Sequence, residues 1–345
     1  MRQQWEVSKL ARTNVEVAER RAPRLFGMTV GDFVARFGAL FGLVILVVFL
    51  SITSPIFLTV GNLSNVARQA TVNALLSIGL LLAIITAGID LSVGSVLALS
   101  MSALALFAIK WGVNAYVSIL ICLLVGLGMG AINGLLLTKL HLPHPFIATL
   151  GTLNVARGIA LIITGASPIS GFDRAGANAV LFLGAGSLGP IPVAFLVVIL
   201  VYIVFHIFLT RTTIGRHIFA VGGNIVSARL SGINVDRTLL IVYSLSGLMA
   251  GLAGLMLAGR TNSGYPTAAL GAELDAISAV IIGGASFFGG VGTVWGTAIG
   301  VILITVLRNG LVLLRVPIEW QTVVIGSVII LAVYVDVLRV RGGQR

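Results

Sequence analysis

The sequence predicts an all-α membrane protein of about ten transmembrane helices, each needing roughly 20 apolar residues. Three observations lead there. First, the 345 residues are 58% hydrophobic and only 10% charged, far below the roughly one quarter charged in soluble domains. Second, long apolar runs recur, and they do not alternate polar with apolar as barrel strands would. Third, the net charge of +11 gathers mostly beside these runs. Topology and anionic lipid headgroups account for such charge before nucleic acid does. With 7% aromatic residues and no stacking module, no nucleic-acid partner is expected.

Residues 1–33 read as a polar cytoplasmic tail with Arg20, Arg21 and Arg24, either loose or lying as an interfacial helix. The polar part is too long, and the next apolar run too long, for a cleavable signal sequence. The membrane domain spans 34–338. Its first span is about 34–53, closed by Ser54-Pro55. Residues 60–68 suit a short interfacial helix capped by Asn62 or Ser64. Spans two and three cover about 69–87 and 92–109, joined through AGIDLSVGSVLALS. Asp90 is the only acidic residue between Asp32 and Asp173. Its carboxylate either caps the third span, accepting backbone N–H bonds, or serves with Ser92 as a gate at the cytoplasmic mouth.

Span four, about 115–137, carries Gly126, Gly130 and Gly134 at every fourth position, a spacing that lets helix backbones approach. Cys122, the single cysteine, is a packing residue there. His141 and His144 follow around Pro143, and no further metal ligand clusters near them. Span five, about 145–164, holds Asn154 and Arg157. An arginine inside a span must face the bundle interior, water or a partner, or snorkel to the interface. Residues 165–189 form an outer Gly/Ser/Pro-rich loop before span six, about 190–209.

The loop 210–237 is the basic connector of the chain, with Arg211, Arg216, Arg229 and Arg237. Asn224–Leu230 suits a short helix stopped at Ser231-Gly232, glycine being the usual left-handed terminator. It is either a docking knob for a soluble partner or an ordinary solvated basic loop. Span seven, about 238–258, has a glycine ridge at Gly247, Gly251 and Gly254. Residues 259–272 read as polar and outward-facing. Span eight, about 273–288, begins with Glu273 and Asp275 and runs into GGASFFGGVG (283–292), too rich in glycine for a plain helix. That joint reads as a broken or re-entrant turn, tolerated only in protein or beside water. Span nine, about 293–312, steps through Gly292, Gly296 and Gly300. Span ten is about 318–338, and 339–345 is a basic cytoplasmic tail.

Most lysines and arginines then fall inside, placing both termini in the cytoplasm. Span four ends NGLLLTKLHLP (133–143) and span nine ends NGLVLLRVP (309–317). These ends face opposite sides, so spans 2–5 and 7–10 form a candidate inverted repeat, as transporters have. No phosphate-binding loop, no His-Glu-x-x-His and no clustered nucleophile occurs. The chain is read as a transporter subunit, without a catalytic site, cofactor or metal of its own. The rival reading is an ion-gradient-driven secondary carrier using Asp90 or Glu273.

AGIDLSVGSVLALS (87–100), TLGTLNVARGIALIITG (149–165), TTIGRHIFAVGGNIVSARLSGINV (212–235) and AISAVIIGGASFFGGVGTVWGTAIG (276–300) resemble permease subunits of bacterial ABC sugar importers of the ribose, xylose, arabinose and galactoside type. The resemblance covers nearly everything from 35 to 338. It implies a pore subunit in the bacterial inner membrane, paired with a second permease copy. A cytoplasmic ABC ATPase would carry the ATP and Mg, and a periplasmic binding protein would deliver the sugar. It also implies a coupling helix within about 215–233, with Gly215, Arg216, Gly222, Asn224, Ala228 and Gly232 as the contact positions. A neutral sugar needs hydrogen-bond partners rather than a counter-ion; Asn73, Asn133, Asn154 and Arg157 are the candidates along its path.

Overall fold

The computed structural model describes residues 24–25, 28–140, 142 and 144–343. His141, nearly all of the expected N-terminal tail and the last two residues lie outside them. Helix α1 (Val30–Thr53) is followed by α2 (Val60–Ile85), α3 (Val93–Ala105, prolonged by a π turn over Leu106–Lys110), α4 (Ala115–Thr138) and α5 (Pro145–Thr164). A short α6 (Asn178–Ala185) precedes α7 (Val193–Arg211). Then come α8 (Thr213–Gly223), α9 (Ile225–Leu230) and α10 (Val235–Thr261). The chain closes with α11 (Ala272–Ile282), α12 (Val294–Leu313) and α13 (Ile318–Gly343). Among the described residues seven helices are long and apolar enough to cross a bilayer, and α1 and α13 add shorter apolar stretches. The interfacial helix expected over 60–68 is the first part of α2, capped by the Thr59 hydroxyl rather than by Asn62 or Ser64. Residues 339–343 continue α13 without a break.

Helices α2, α3 and α10 form the centre, and over three quarters of the apolar windows of α2 and α3 are buried. In lipid there is no water to expel, so close packing supplies the attraction between helices. The most extensive helix pair is α4 with α10. A Cβ on Gly126 or Gly130 would overlap the carbonyl oxygen of Gly247 or Tyr243, and one on Gly134 would stand 2.9 Å from Leu240 Cα. Gly126 and Gly130 of one ridge and Gly247 and Gly251 of the other are thus two halves of one seam, whereas Gly254 packs on Leu97 and Met101 of α3. Gly130→Leu is expected to cost about 3 kcal/mol, because neither backbone can yield. Gly128→Leu, where nothing lies within 4 Å, is the control. Thermal unfolding of the purified protein in detergent compares them.

The packing is symmetric under the exchange expected for the repeat. Helix α4 packs on α10 and α3, as α12 packs on α2 and α11; α3 packs on α10 and α5, as α11 packs on α2 and α13. The matched asparagines Asn133 and Asn309 both lie buried at corresponding places in α4 and α12. Asn309 exchanges two hydrogen bonds with Asn62, at 2.9 and 3.0 Å.

Two elements differ from the sequence reading. The expected eighth span, 273–288, is the 11-residue α11, half the length of a crossing. The stretch before it is not an outward-facing loop. Ser263–Gly264 pairs with Ile169–Ser170, and the chain then runs beside α3 towards its N-terminus. Gly264 sits against Met101 and Ala105, whereas Ala269 O and the Glu273 carboxylate come within 2.7 Å of a Cβ on Gly94. Pro266 and Gly271 (φ +76°) keep this stretch from coiling. Its carbonyls need donors inside the bundle, and Arg157 provides them, its Nη1 donating to Pro266 O at 2.6 Å and Ala268 O at 2.8 Å. Helices α3 and α11 therefore meet by their N-termini, each entered through a non-helical stretch. On the outer loop, the Asn262 amide donates to Asp173 at 2.7 Å and holds that exposed carboxyl below the usual range.

Candidate functional site

The basic connector folds into two short helices set at an angle. Thr212 caps α8, its hydroxyl accepting from Gly215 N at 3.0 Å. A Cβ on Gly215 would strike the carbonyls of Phe208 and Leu209, so only glycine lets α8 turn back on the end of α7. Ile218 and Val221 are buried while Arg216 is exposed, so α8 lies amphipathically on the bundle. Asn224 ends α8 and caps α9, its Oδ1 accepting from Ser227 N at 2.9 Å. Gly232, at φ +82°, ends the unit in the left-handed conformation. The short helix expected over 224–230 with a Ser231-Gly232 stop is thus present, and α8 is the helix the sequence reading missed. Its signal was there in the apolar Ile214, Ile218 and Val221 spacing.

Within α9 only Ala228 turns inward, joining Val221 and Val235 in a small apolar cluster. Ile225, Val226 and Leu230 stand out, Leu230 being 85% exposed. Gly222 connects this unit to the core. Its α-carbon lies against Ile85 O, the end of α2, and 2.8 Å separates the position of a Cβ from Gly290 N. Gly290 N in turn donates to Ile85 O at 2.8 Å. One point therefore joins the connector helices, the end of α2 and the glycine-rich turn 283–293. Asp336 of α13 fastens the same turn, accepting from Ser286 Oγ and Phe287 N at 3.1 Å each.

Deeper in the bundle, Asp90 is buried in a polar knot. Its Oδ1 accepts from Ser92 N at 3.0 Å, Ser92 Oγ at 2.6 Å and Asn133 Nδ2 at 3.4 Å. Its Oδ2 accepts from Ser246 Oγ at 2.8 Å. Asn133 Nδ2 also donates to Ser92 Oγ at 2.8 Å, and Thr152 Oγ1 donates to Asn133 Oδ1 at 2.6 Å. The knot ties the entry of α3 to α4, α5 and α10. Asp90 and Ser92 are held inside the bundle, and Asn133 is fully occupied by the knot rather than open to a solute. Thr152 and Ser246 were missed, because nothing marks them in an apolar helix sequence.

The other polar candidates are dispersed. Arg157 clamps the turn before α11. Asn154 is exposed on α5, donating to Leu150 O of its own helix at 3.0 Å, and meets none of the others. Asn73 lines a cavity between α2, α11 and α12. Among the described residues no group of three metal-ligating side chains occurs.

Residues 62–333 match the family described as "Branched-chain amino acid transport system / permease component". The chain is 42% identical over 301 residues to the ribose import permease protein RbsC of Escherichia coli strain K12, covering 86% of this chain and 92% of that one. The chain is a sugar ABC importer permease. It is 44% identical to the ribose import permease protein RbsC of Bacillus subtilis strain 168, over 87% of this chain and 92% of the relative. It is 35% identical to the xylose transport system permease protein XylH of Haemophilus influenzae, over 86% and 94%. No solved structure matches. The permease is accordingly a multi-pass protein of the inner membrane, and importers of this kind work with an ATPase and a binding protein.

Proposed function

We propose that this permease forms, as one of two identical copies, the transmembrane path of a monosaccharide importer, with ribose as the first substrate to try. A cytoplasmic ABC ATPase binds ATP and Mg and grips the α8–α9 unit; a periplasmic binding protein delivers the sugar; both termini face the cytoplasm and lipid surrounds the outer helices. The observation that carries this is the α8–α9 unit: α9 is a capped knob with three apolar side chains outward, and α8 is seated at Gly222 on the end of α2 and the turn 283–293. A pull on α9 reaches two core elements at one contact. Closing of the ATPase would then rock the bundle between inward and outward openings. The same reading assigns Gly215, Arg216, Gly222, Asn224, Ala228 and Gly232 to coupling. Asn224 and Gly232 fix where the knob begins and ends, and Ala228 seats it.

The test is sugar-stimulated ATP hydrolysis by permease, ATPase and binding protein in proteoliposomes, with the double variant Asn224→Arg/Gly232→Trp. Stimulation should be lost while the complex still assembles. Loss of assembly instead would make the unit a docking site only. Wild-type uptake that follows an ion gradient without ATP would overturn the importer reading.

A further inference from the structure

The cavity lined by Asn73 has a composition that the knot, the clamp and the connector do not use. It holds about 150 Å³ and lies where the first turn of α11 meets α2 and α12. Gln69, Asn73, Asp275, Thr305 and Arg308 give it a polar wall; Val72, Leu76, Ala272 and Ile304 complete it. A polar wall of this size facing hydrocarbon would be costly, so it faces an aqueous path or a second copy.

Its hydrogen-bonding capacity is largely unspent. Thr71, Thr138, Thr164, Thr238 and Thr297 each donate to the carbonyl four residues back. Thr305 lies in a helix too and is only 4% exposed, yet its hydroxyl has no such bond among the described residues. Asn73 Oδ1 accepts from Ser77 at 3.3 Å, leaving its amide N–H groups open. Arg308 pairs with Asp275 at 2.7 Å, and its Nε is buried with no partner. The wall thus offers donors from Gln69, Asn73, Thr305 and Arg308, with acceptors from Asp275 and Gln69. Because Asp275 neutralises Arg308, the wall suits a neutral solute better than an anion. A half-helix N-terminus opening on the cavity adds further aligned N–H groups.

We infer that Gln69, Asn73, Thr305 and the Asp275–Arg308 pair form a transient binding station for the hydroxyl groups of a monosaccharide on its way through the bundle. This rests on the importer reading above. Rows of alternating donors and acceptors are what a polyol leaving water must find, since each of its hydroxyls is otherwise stranded.

The experiment uses the full complex with its ATPase and binding protein in proteoliposomes, with D-ribose and D-xylose as probes, and reads sugar moved per ATP split. Thr305→Val keeps the shape and removes the hydroxyl; Asn73→Leu removes the open amide. Each should lower the ratio about 5- to 10-fold, the value of one lost hydrogen bond, and change the ribose-to-xylose preference. A merely structural defect would lower uptake and hydrolysis together. A second readout uses Thr305→Cys. The native Cys122 is fully buried, so a membrane-impermeant thiol reagent reads the new cysteine against a quiet background. It should react, and more slowly during ATP-driven ribose transport. An unchanged ratio in both variants, or an inert Thr305→Cys in an active complex, would overturn the station and leave the importer reading standing. A wild-type complex that splits ATP in response to neither sugar and moves neither would overturn the importer reading for these sugars, and the station with it.

Discussion

Asp90→Leu is expected to cost the folded permease about 3 kcal/mol, and Asp90→Asn only about 1 kcal/mol. Four donors end on this carboxylate: Ser92 N, Ser92 Oγ, Asn133 Nδ2 and Ser246 Oγ. Leucine leaves them without an acceptor in a site where no water reaches. Some recover. Asn133 still donates to Ser92, and the Ser246 hydroxyl can turn back to a carbonyl of α10. Ser92 N cannot recover, because it is fixed at the first turn of α3, and a stranded buried N–H is the larger part of the loss. Asparagine keeps an acceptor for Ser92 and asks only that Ser246 reverse its bond. Thermal unfolding in detergent, followed by circular dichroism, ranks the two variants. Equal damage from both would mean that the negative charge itself holds the knot. ATP-driven uptake separates a structural role from an ion-binding one. A carrier that used Asp90 as its ion site would lose all transport in Asp90→Asn, whereas a knot that only fixes helix positions keeps most of it.

What the sequence made legible was what is local. Long apolar runs announce helices, and α9 could be placed to within one residue, expected over 224–230 and found over Ile225–Leu230, because a stopping glycine acts on its own neighbours. The glycine ridges of α4 and α10 were visible for the same reason, though not that they face each other. The failures come from partners distant in the chain. Residues 263–271 look polar and therefore external; in fact Arg157, over a hundred positions earlier, satisfies the carbonyls that let them lie inside. The end of α11 is half visible: 283–292 reads as too rich in glycine for a plain helix, yet the apolar run carries the expected span on to 288, whereas the helix ends at Ile282. Asp90 was noticeable as a lone acid, but its partners Ser246 and Thr152 are ordinary residues in apolar helices. The cavity wall could not be assembled at all, because Gln69 and Thr305 meet only in the folded bundle.

Gly222→Val should stop transport while its neighbour Gly223→Ala leaves it nearly intact. The Cβ of any residue at 222 would overlap Ile85 O, and Gly290 N would lie 2.8 Å from it. Both neighbours are backbone atoms joined to each other by a 2.8 Å hydrogen bond, so neither can swing aside as a side chain would. Relief requires α8 to lift from the end of α2, which breaks the one place where α8–α9, α2 and the turn 283–293 touch together. Overpacking of this kind costs about 1–3 kcal/mol when the surroundings can shift, and here the shift itself removes the mechanical link. Gly223 has open space around its Cβ position and α-helical neighbours before it, so alanine there tests the effect of adding a methyl group without the overlap. The measurement is sugar moved per ATP split, together with the amount of ATPase retained on the purified complex. Normal retention with a ratio reduced more than tenfold in Gly222→Val would place the transmission of force at this contact. Equal ratios in the two variants would show that α8 tolerates lifting, and would move the link to the buried side of α9 at Ala228.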